Sequence, residues 1–246
     1  MRDGWSNDAL KDRVARDGFA VVGAVIGPEL VERLVSSISS NLSHASGSTA
    51  RGSFARRNLL DVPPVRELAD SAPLRSIVEP ILGAQARPVR GLLFDKTRDA
   101  NWVVPWHQDL SIAVNRRMDV PGFGPWSRKA GVVHVQPPVE ILKRMLTIRL
   151  HLDDCDEANG PLQVIPSTHD GVLSPQAIER FTQTGARTLC TAWAGDAVVM
   201  RPLLLHASFP AKRASHRRVV HLEYASAELP QGLEWHERQD SGSALA

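Results

Sequence analysis

The chain has 246 residues, 43% of them hydrophobic and 23% charged, with a formal net charge of +2. That composition supports a buried core and excludes a disordered chain, and a basic charge without a long basic run or stacking aromatics excludes a nucleic-acid binder. No apolar stretch approaches the roughly 20 residues of a membrane helix.

In chain order, Ser6 is a candidate N-cap for a short helix with Leu10 and Val14 on its apolar face, ended by Gly18. Phe19–Val22 reads as a buried strand. Pro28 opens a helix in which Leu30, Val31, Leu34, Val35 and Ile38 recur at helical spacing. The small, basic stretch 43–57 has two readings, a surface loop or a lid over a site. Pro63-Pro64 opens a second helical region, carrying Leu68, Leu74, Ile77, Val78, Ile81 and Leu82 and closed by Gly83. From Pro88 the character turns to strand, at 89–94 and 102–106. A long insert, 111–138, contains Trp126 and Val132-Val133-His134-Val135 and reads as an ordered wall. Residues 139–145 suit one or two helical turns. Leu146–Leu152 alternates strictly, with Leu146, Ile148, Leu150 and Leu152 on one face and Met145, Thr147, Arg149 and His151 on the other. Asn159-Gly160 is a hairpin signal. Short strands are expected near 162–165, 188–191, 196–200, 203–206 and 219–224, with a helix over 175–183. After Glu228 the chain is polar and is expected to fray. Many short strands broken by turns predict a jelly roll or sandwich. One domain is expected, with 1–87 as helical scaffold, 88–226 as jelly-roll core and 227–246 as tail.

Two cysteines, Cys155 and Cys190, have no CxxC partner and read as reduced thiols. The N-terminus, Met1-Arg2-Asp3-Gly4-Trp5, lacks the apolar core of a signal peptide, so a cytoplasmic location is expected.

The chemistry centres on Trp106-His107-Gln108-Asp109-Leu110. Residues two apart on a strand point to one side, so His107 and Asp109 can reach one metal ion. His206, in Leu203-Leu204-Leu205-His206, is the best third ligand. Two His and one carboxylate with open positions is the facial triad of non-haem Fe(II) oxygenases. His-x-Asp alone is a weak signal; the set gives it weight. Arg217, heading a strand, can pair bidentately with a carboxylate, which a dicarboxylate cosubstrate beside such an iron requires.

At these residues the sequence resembles the phytanoyl-CoA dioxygenase family of Fe(II)- and 2-oxoglutarate-dependent oxygenases. The resemblance rests on Trp106–Leu110, on Leu150-His151-Leu152-Asp153-Asp154 leading to Asn159-Gly160-Pro161-Leu162, on Pro166-Ser167-Thr168-His169, on Gly195-Asp196-Ala197-Val198, and on His206-Ala207-Ser208 with Arg217-Arg218. It covers roughly 88–226. Ser167 stands where the family often has Gly. The resemblance implies a mainly β fold, a double-stranded β-helix or jelly-roll barrel flanked by N-terminal helices. It implies iron on His107, Asp109 and His206, with O2 as second substrate and ascorbate as the reductant for assay. It places the distal carboxylate of 2-oxoglutarate on Arg217, helped by Ser208. Because Asp109 is a carboxylate and not the small residue of related halogenases, hydroxylation of an unactivated C–H bond is expected, with release of succinate and CO2.

The polar face of this strand suits either solvent at an edge sheet or a pocket in the barrel mouth; Thr147 and Arg149 would point into the barrel if Leu146, Ile148 and Leu150 face the packed helices. Thr147 is then a candidate hydrogen-bond donor to 2-oxoglutarate. Arg149 either holds an acidic group of substrate or cosubstrate, or pairs with a structural acid such as Glu223. Trp106 is a candidate substrate contact, against a packing role shared with Trp102. His134, His151, His169, His216 and His221 are read as non-ligands, and Arg218 is the alternative anchor if the register slips by one. The expected partner is a small molecule: a carboxylic acid, an amino-acid derivative or a natural-product intermediate. The sequence sets no oligomeric state. Two other readings stand: a jelly-roll protein that binds metal without catalysis, and a cupin-like metalloenzyme that does not use 2-oxoglutarate.

Overall fold

The computed structural model describes residues 6–44, 56–213 and 216–237. The chain opens with α1 (Asn7–Asp17), whose N-cap is Ser6: its Oγ accepts from the Ala9 amide at 3.3 Å. Gly18 caps the other end in the left-handed region, at φ +82°. Then come β1 (Phe19–Val22), α2 (Pro28–His44), α3 (Pro63–Ala69) and α4 (Ala72–Leu82). Of the stretch 43–57 read as a loop or lid, residues 45–55 lie outside the described residues.

The remaining elements are β2 (Arg87–Lys96), β3 (Val104–His107), β4 (Ile112–Val114), β5 (Trp126–Lys129), β6 (Val132–Val135), α5 (Val139–Lys143), β7 (Met145–His151), β8 (Leu162–Val164), α6 (Pro175–Thr184), β9 (Thr188–Cys190), β10 (Ala197–Met200), β11 (His206–Ser208) and β12 (Arg217–Ala225). They form a five-stranded sheet, β1-β10-β7-β12-β2, a four-stranded sheet, β3-β11-β8-β9, and a three-stranded sheet, β4-β6-β5. Every pairing is antiparallel. The first two sheets face each other across a cavity, as in a jelly roll, and no strand pairing closes them into a barrel. Helix and strand are nearly equal, 30% and 29% of the described residues, but the cavity is walled mainly by strands.

The alternation in β7 decides the layering. Leu146, Ile148 and Leu150 join Val220, Leu222 and Tyr224 of β12 in a core shared with Leu10, Val14, Leu34, Leu74 and Val78 of the helices. The helices therefore cover the outer face of the five-stranded sheet, and the odd positions of β7 and β12 turn inward. Tyr224 is fully buried and its hydroxyl donates to the Ala69 carbonyl at 2.8 Å, tying sheet to helix.

Two expectations are corrected. Asn159-Gly160 does not join a hairpin: β7 and β8 lie in different sheets, and the turn is a corner between them. Asp156 Oδ1 accepts the amides of Ala158 and Asn159, and Gly160 follows at φ +62°. A Cβ there would lie 2.6 Å from the Phe209 carbonyl, so the corner requires glycine. The second correction concerns the end of the chain. Leu229, Leu233 and Trp235 are buried in a core with Ile112, Val114 and Val135 of the insert. The Asn115 amide donates to the Glu234 carbonyl and the His236 amide to that of Ala113, so the chain is docked through residue 237. Three apolar side chains among polar neighbours were enough to dock it. Residues 238–246 lie outside the described residues. The insert 111–138 is an ordered sheet and not a loop. No helix of the described chain is long and apolar enough to cross a membrane.

Candidate metal centre and active site

His107 ends β3, Asp109 follows two residues later, and His206 opens β11 directly opposite His107. His107 Nε2 lies 3.6 Å from Asp109 Oδ1, and His206 Nε2 lies 3.7 Å from Asp109 Oδ2. The three donor atoms lie within 4.8 Å of one another. The gaps are too wide for good hydrogen bonds and suit an ion between the groups. Each imidazole is oriented in the same way. His107 Nδ1 is 2.8 Å from the Pro105 carbonyl, and His206 Nδ1 is 2.8 Å from the Leu204 carbonyl. A carbonyl can only accept, so Nδ1 carries the proton and Nε2 keeps its lone pair toward Asp109.

A bulge shapes this end of β3. Residues 206 to 208 of β11 face residues 107 to 104 of β3, so β3 carries one extra residue. Val104 and His107 consequently both line the cavity. Trp106, next to His107, points to the other side, against Phe209 and under the Arg187 guanidinium at 5.5 Å. It is not among the cavity's lining residues, whereas Trp102 is. Gln108, between the two ligands, points the opposite way and is buried. Its amide nitrogen donates to the Gly171 carbonyl at 2.8 Å, and its carbonyl accepts from the Leu173 amide at 2.8 Å. With the Asp109 amide on the Pro202 carbonyl at 2.9 Å, this clamps the His-x-Asp segment without a strand. The role of Gln108 was not anticipated from the sequence.

Burial alone would raise the Asp109 pKa, but the His206 and His107 imidazoles outweigh it and hold the carboxyl below its usual range. Burial drives His206 down to about 4, so it is a neutral ligand at physiological pH. Burial would lower His107 too, but the hydrogen bond and charge of Asp109 outweigh it and raise that imidazole, so a cation bound here displaces its proton. An ionised carboxylate and unprotonated imidazole nitrogens are what a first-row divalent cation requires.

The cavity, of about 210 Å3, extends along β12. At one end lies Arg217, 2% exposed. Its Nη1 donates to the Gly160 carbonyl and, at 3.2 Å, to Ser208 Oγ, while its Nε has no partner. Lys96, directly across from Arg217 in β2, is 1% exposed, and its Nζ donates to Ser208 Oγ at 3.0 Å. No sequence motif singled out Lys96. Burial first, and then the Arg217 charge, lower it to about 7. Arg218 faces away, in a bidentate pair with Asp153, which removes it as an alternative anchor.

Thr147 faces inward beside Glu223, but it is not among the lining residues and its hydroxyl has no partner. Arg149 lines the cavity. Its Nη1 lies 3.0 Å from His221 Nδ1, its guanidinium sits 5.2 Å from the Phe94 centroid, and its Nε is unpartnered. It does not pair with Glu223, whose carboxylate takes Arg90 at 3.0 Å. His134, also read as a non-ligand, is 3.0 Å from Arg90 Nη2.

The family profile described as Phytanoyl-CoA dioxygenase (PhyH) matches residues 14–219. Comparison with curated proteins gives no match. Among solved structures, AviO1 from Streptomyces viridochromogenes Tue57 is 24% identical at a TM-score of 0.66, covering 91% of this chain and 96% of that one. EctD from S. alaskensis, solved with 2-oxoglutarate and 5-hydroxyectoine, is 19% identical at a TM-score of 0.68, covering 91% and 79%. The epimerase SnoN, solved in complex with Fe3+, alpha ketoglutarate and nogalamycin RO, is 17% identical at a TM-score of 0.66, covering 92% and 91%. At these identities the likeness establishes the fold.

Proposed function

From a chain that belongs to the phytanoyl-CoA dioxygenase family, we propose an Fe(II)- and 2-oxoglutarate-dependent oxygenase that hydroxylates a C–H bond of a small molecule. The observation that carries this reading is one cavity with His107, Asp109 and His206 on one wall and Arg217 with Ser208 at one end. His107, Asp109 and His206 would hold the iron. When bound, iron and 2-oxoglutarate supply O2-dependent oxidation with release of succinate and CO2.

The protein's own part is positional. The Pro105 and Leu204 carbonyls fix both imidazole tautomers, and Asp109 stays ionised. Arg217 is already held by Gly160 and Ser208, and its free Nε and buried charge suit the distal carboxylate of a dicarboxylate. Lys96 adds a second donor on the same Ser208 hydroxyl. The inward face of β12 and the Trp102 ring wall the cavity against water. Retention of Asp109 leaves no vacant ligand position for a halide, which favours hydroxylation. Residues 88–226 would form the catalytic core of a single domain scaffolded by 1–87.

The test is succinate release from 2-oxoglutarate with Fe(II), O2 and ascorbate. Asp109→Ala or His206→Ala should abolish it, a loss of at least about 100-fold. Arg217→Ala should weaken 2-oxoglutarate binding about tenfold or more, as expected for a lost charge-assisted pair. Full turnover by His206→Ala would refute the metal assignment. Turnover without 2-oxoglutarate would favour a cupin-like metalloenzyme, and no turnover with any substrate would favour a binding protein.

A further inference from the structure

The cavity has a second charged end. On β12 the inward residues run Arg217, Val219, His221, Glu223, and across from them on β2 stand Lys96, Phe94, Leu92 and Arg90. From Arg217 to Glu223 is six strand residues, roughly 20 Å, several times the length of a five-carbon diacid. One 2-oxoglutarate cannot reach both ends. The far end is lined by Arg90, Arg57 and Lys129. Arg57 comes from the segment bridged to β2 through Arg56 and Leu93, and Lys129 is the last residue of β5 in the insert. Lys129 also borders the adjoining groove between β5 and the His107–Asp109 loop.

Charge counting shows what this end lacks. Five cations line the cavity, Arg57, Arg90, Lys129, Arg149 and Arg217, against two carboxylates, Asp109 and Glu223. Iron(II) and 2-oxoglutarate bring two charges of each sign and cancel. Glu223 is taken by Arg90 at 3.0 Å. Arg57 and Lys129 have no ion pair among the described residues, and the sequence leading into Arg57, residues 45–55, contains no Asp or Glu. Burial first, and then the neighbouring Arg90 charge, pull both below their ordinary pKa, against a weaker opposing pull from Glu223.

We propose that the substrate carries an acidic group, carboxylate or phosphate, which docks on Arg57 and Lys129 beside Arg90 and so directs the rest of the molecule toward His107, Asp109 and His206. This rests on the functional reading above and adds to it a substrate class and the residues that select it. Arg149, midway along the cavity with a free Nε, would meet the part of the substrate nearest the metal.

The test uses the full chain loaded with Ni(II) and saturating 2-oxoglutarate, so that binding is read without turnover. Calorimetric titration compares hexanoate and hexyl phosphate with hexan-1-ol and hexylamine. Both anions are expected to bind at least about tenfold more tightly than the alcohol or amine, the worth of one charge-assisted contact. Arg57→Gln combined with Lys129→Gln should erase that preference, and Lys129→Glu should turn it toward hexylamine. Both sites are at the cavity mouth, so folding is checked simply by circular dichroism. A tighter hexyl phosphate would identify a phosphoryl group, and a tighter hexanoate a carboxylic acid. Equal affinity for hexan-1-ol and hexanoate, or an unchanged anion preference in the double variant, overturns the proposal. A separate titration of 2-oxoglutarate against Arg217→Gln keeps the two readings apart. If that variant binds 2-oxoglutarate normally, the functional reading itself fails; if it does not, a negative result with the anions counts against the substrate class alone.

Discussion

A lysine 1% exposed and set opposite a buried arginine is an expensive arrangement. Lys96 tolerates it because Ser208 and the Phe209 carbonyl accept from its ammonium and the Trp102 ring lies 5.6 Å away. Burial and Arg217 still bring its pKa down to about 7. A dicarboxylate arriving at Arg217 stabilises the charged form. Below pH 7 Lys96 is already protonated; above it, binding must take up a proton. The affinity for 2-oxoglutarate should therefore weaken as pH rises beyond 7, by up to about tenfold per unit. Lys96→Met should bind more weakly at pH 6 and lose the slope. Titration of the Ni(II)-loaded protein from pH 6 to 9 checks both. A slope surviving in Lys96→Met would assign the proton elsewhere. His107, Asp109, His206 and Arg217 could be proposed from the sequence because His-x-Asp, a later His and a strand-heading Arg together form a recognisable set, although His-x-Asp alone is weak. Lys96 and Gln108 could not, since a lone Lys or Gln on a strand normally faces solvent. Only the register with β12, and the turn of the His107–Asp109 segment, bury them.

At the level of elements, the candidate metal ligands sit on or just after strands of the four-stranded sheet, Arg217 heads a strand of the five-stranded sheet, and Lys129 comes from the insert. The insert is held from behind by the C-terminal segment. Trp235 is 4% exposed, bridges to Val114, and donates from Nε1 to the Ala227 carbonyl at 3.2 Å. Trp235→Ala should cost about 3–5 kcal/mol of stability, measured by chemical denaturation. It should also loosen β4-β6-β5, weakening anion binding at Lys129 more than 2-oxoglutarate binding at Arg217. Equal losses at both ends would mean that the insert is not an independent support. The strict alternation of β7 separated its two faces, but left open whether the polar one met solvent or a pocket; it is buried, and Arg149 on it lines the cavity. The bulge in β3 was not predictable. It arises from pairing with β11, and it is why Val104 turns in with His107; Trp106 turns out by simple alternation.

For the molecule as a whole, short strands of three or four residues gave the class of fold, but their order in the sheets depended on contacts distant in sequence. One such contact closes the structure. The Glu237 carboxylate accepts the Leu60 amide at 3.3 Å and the Gly91 amide at 3.1 Å, joining the segment after β12 to the helical scaffold and to β2. Burial raises its pKa to about 7, against the opposing pull of those amides. A carboxyl raised on folding binds its proton more tightly in the native state. Its contribution is complete below pH 4.5 and is lost as pH rises through 7. Melting temperature should fall across that window, and Glu237→Gln should flatten the fall. A parallel decline in the variant would locate the titration elsewhere. The carbonyls of Pro105 and Leu204 have a different consequence. They belong to the main chain, so no side-chain substitution deletes the acceptor that sets either imidazole. The orientation of both imidazoles is thereby insulated from side-chain change, while the mouth, made of long side chains from β2, the Arg57 segment and the insert, is free to vary. A lineage built on this plan can change what it oxidises while conserving the means of oxidation.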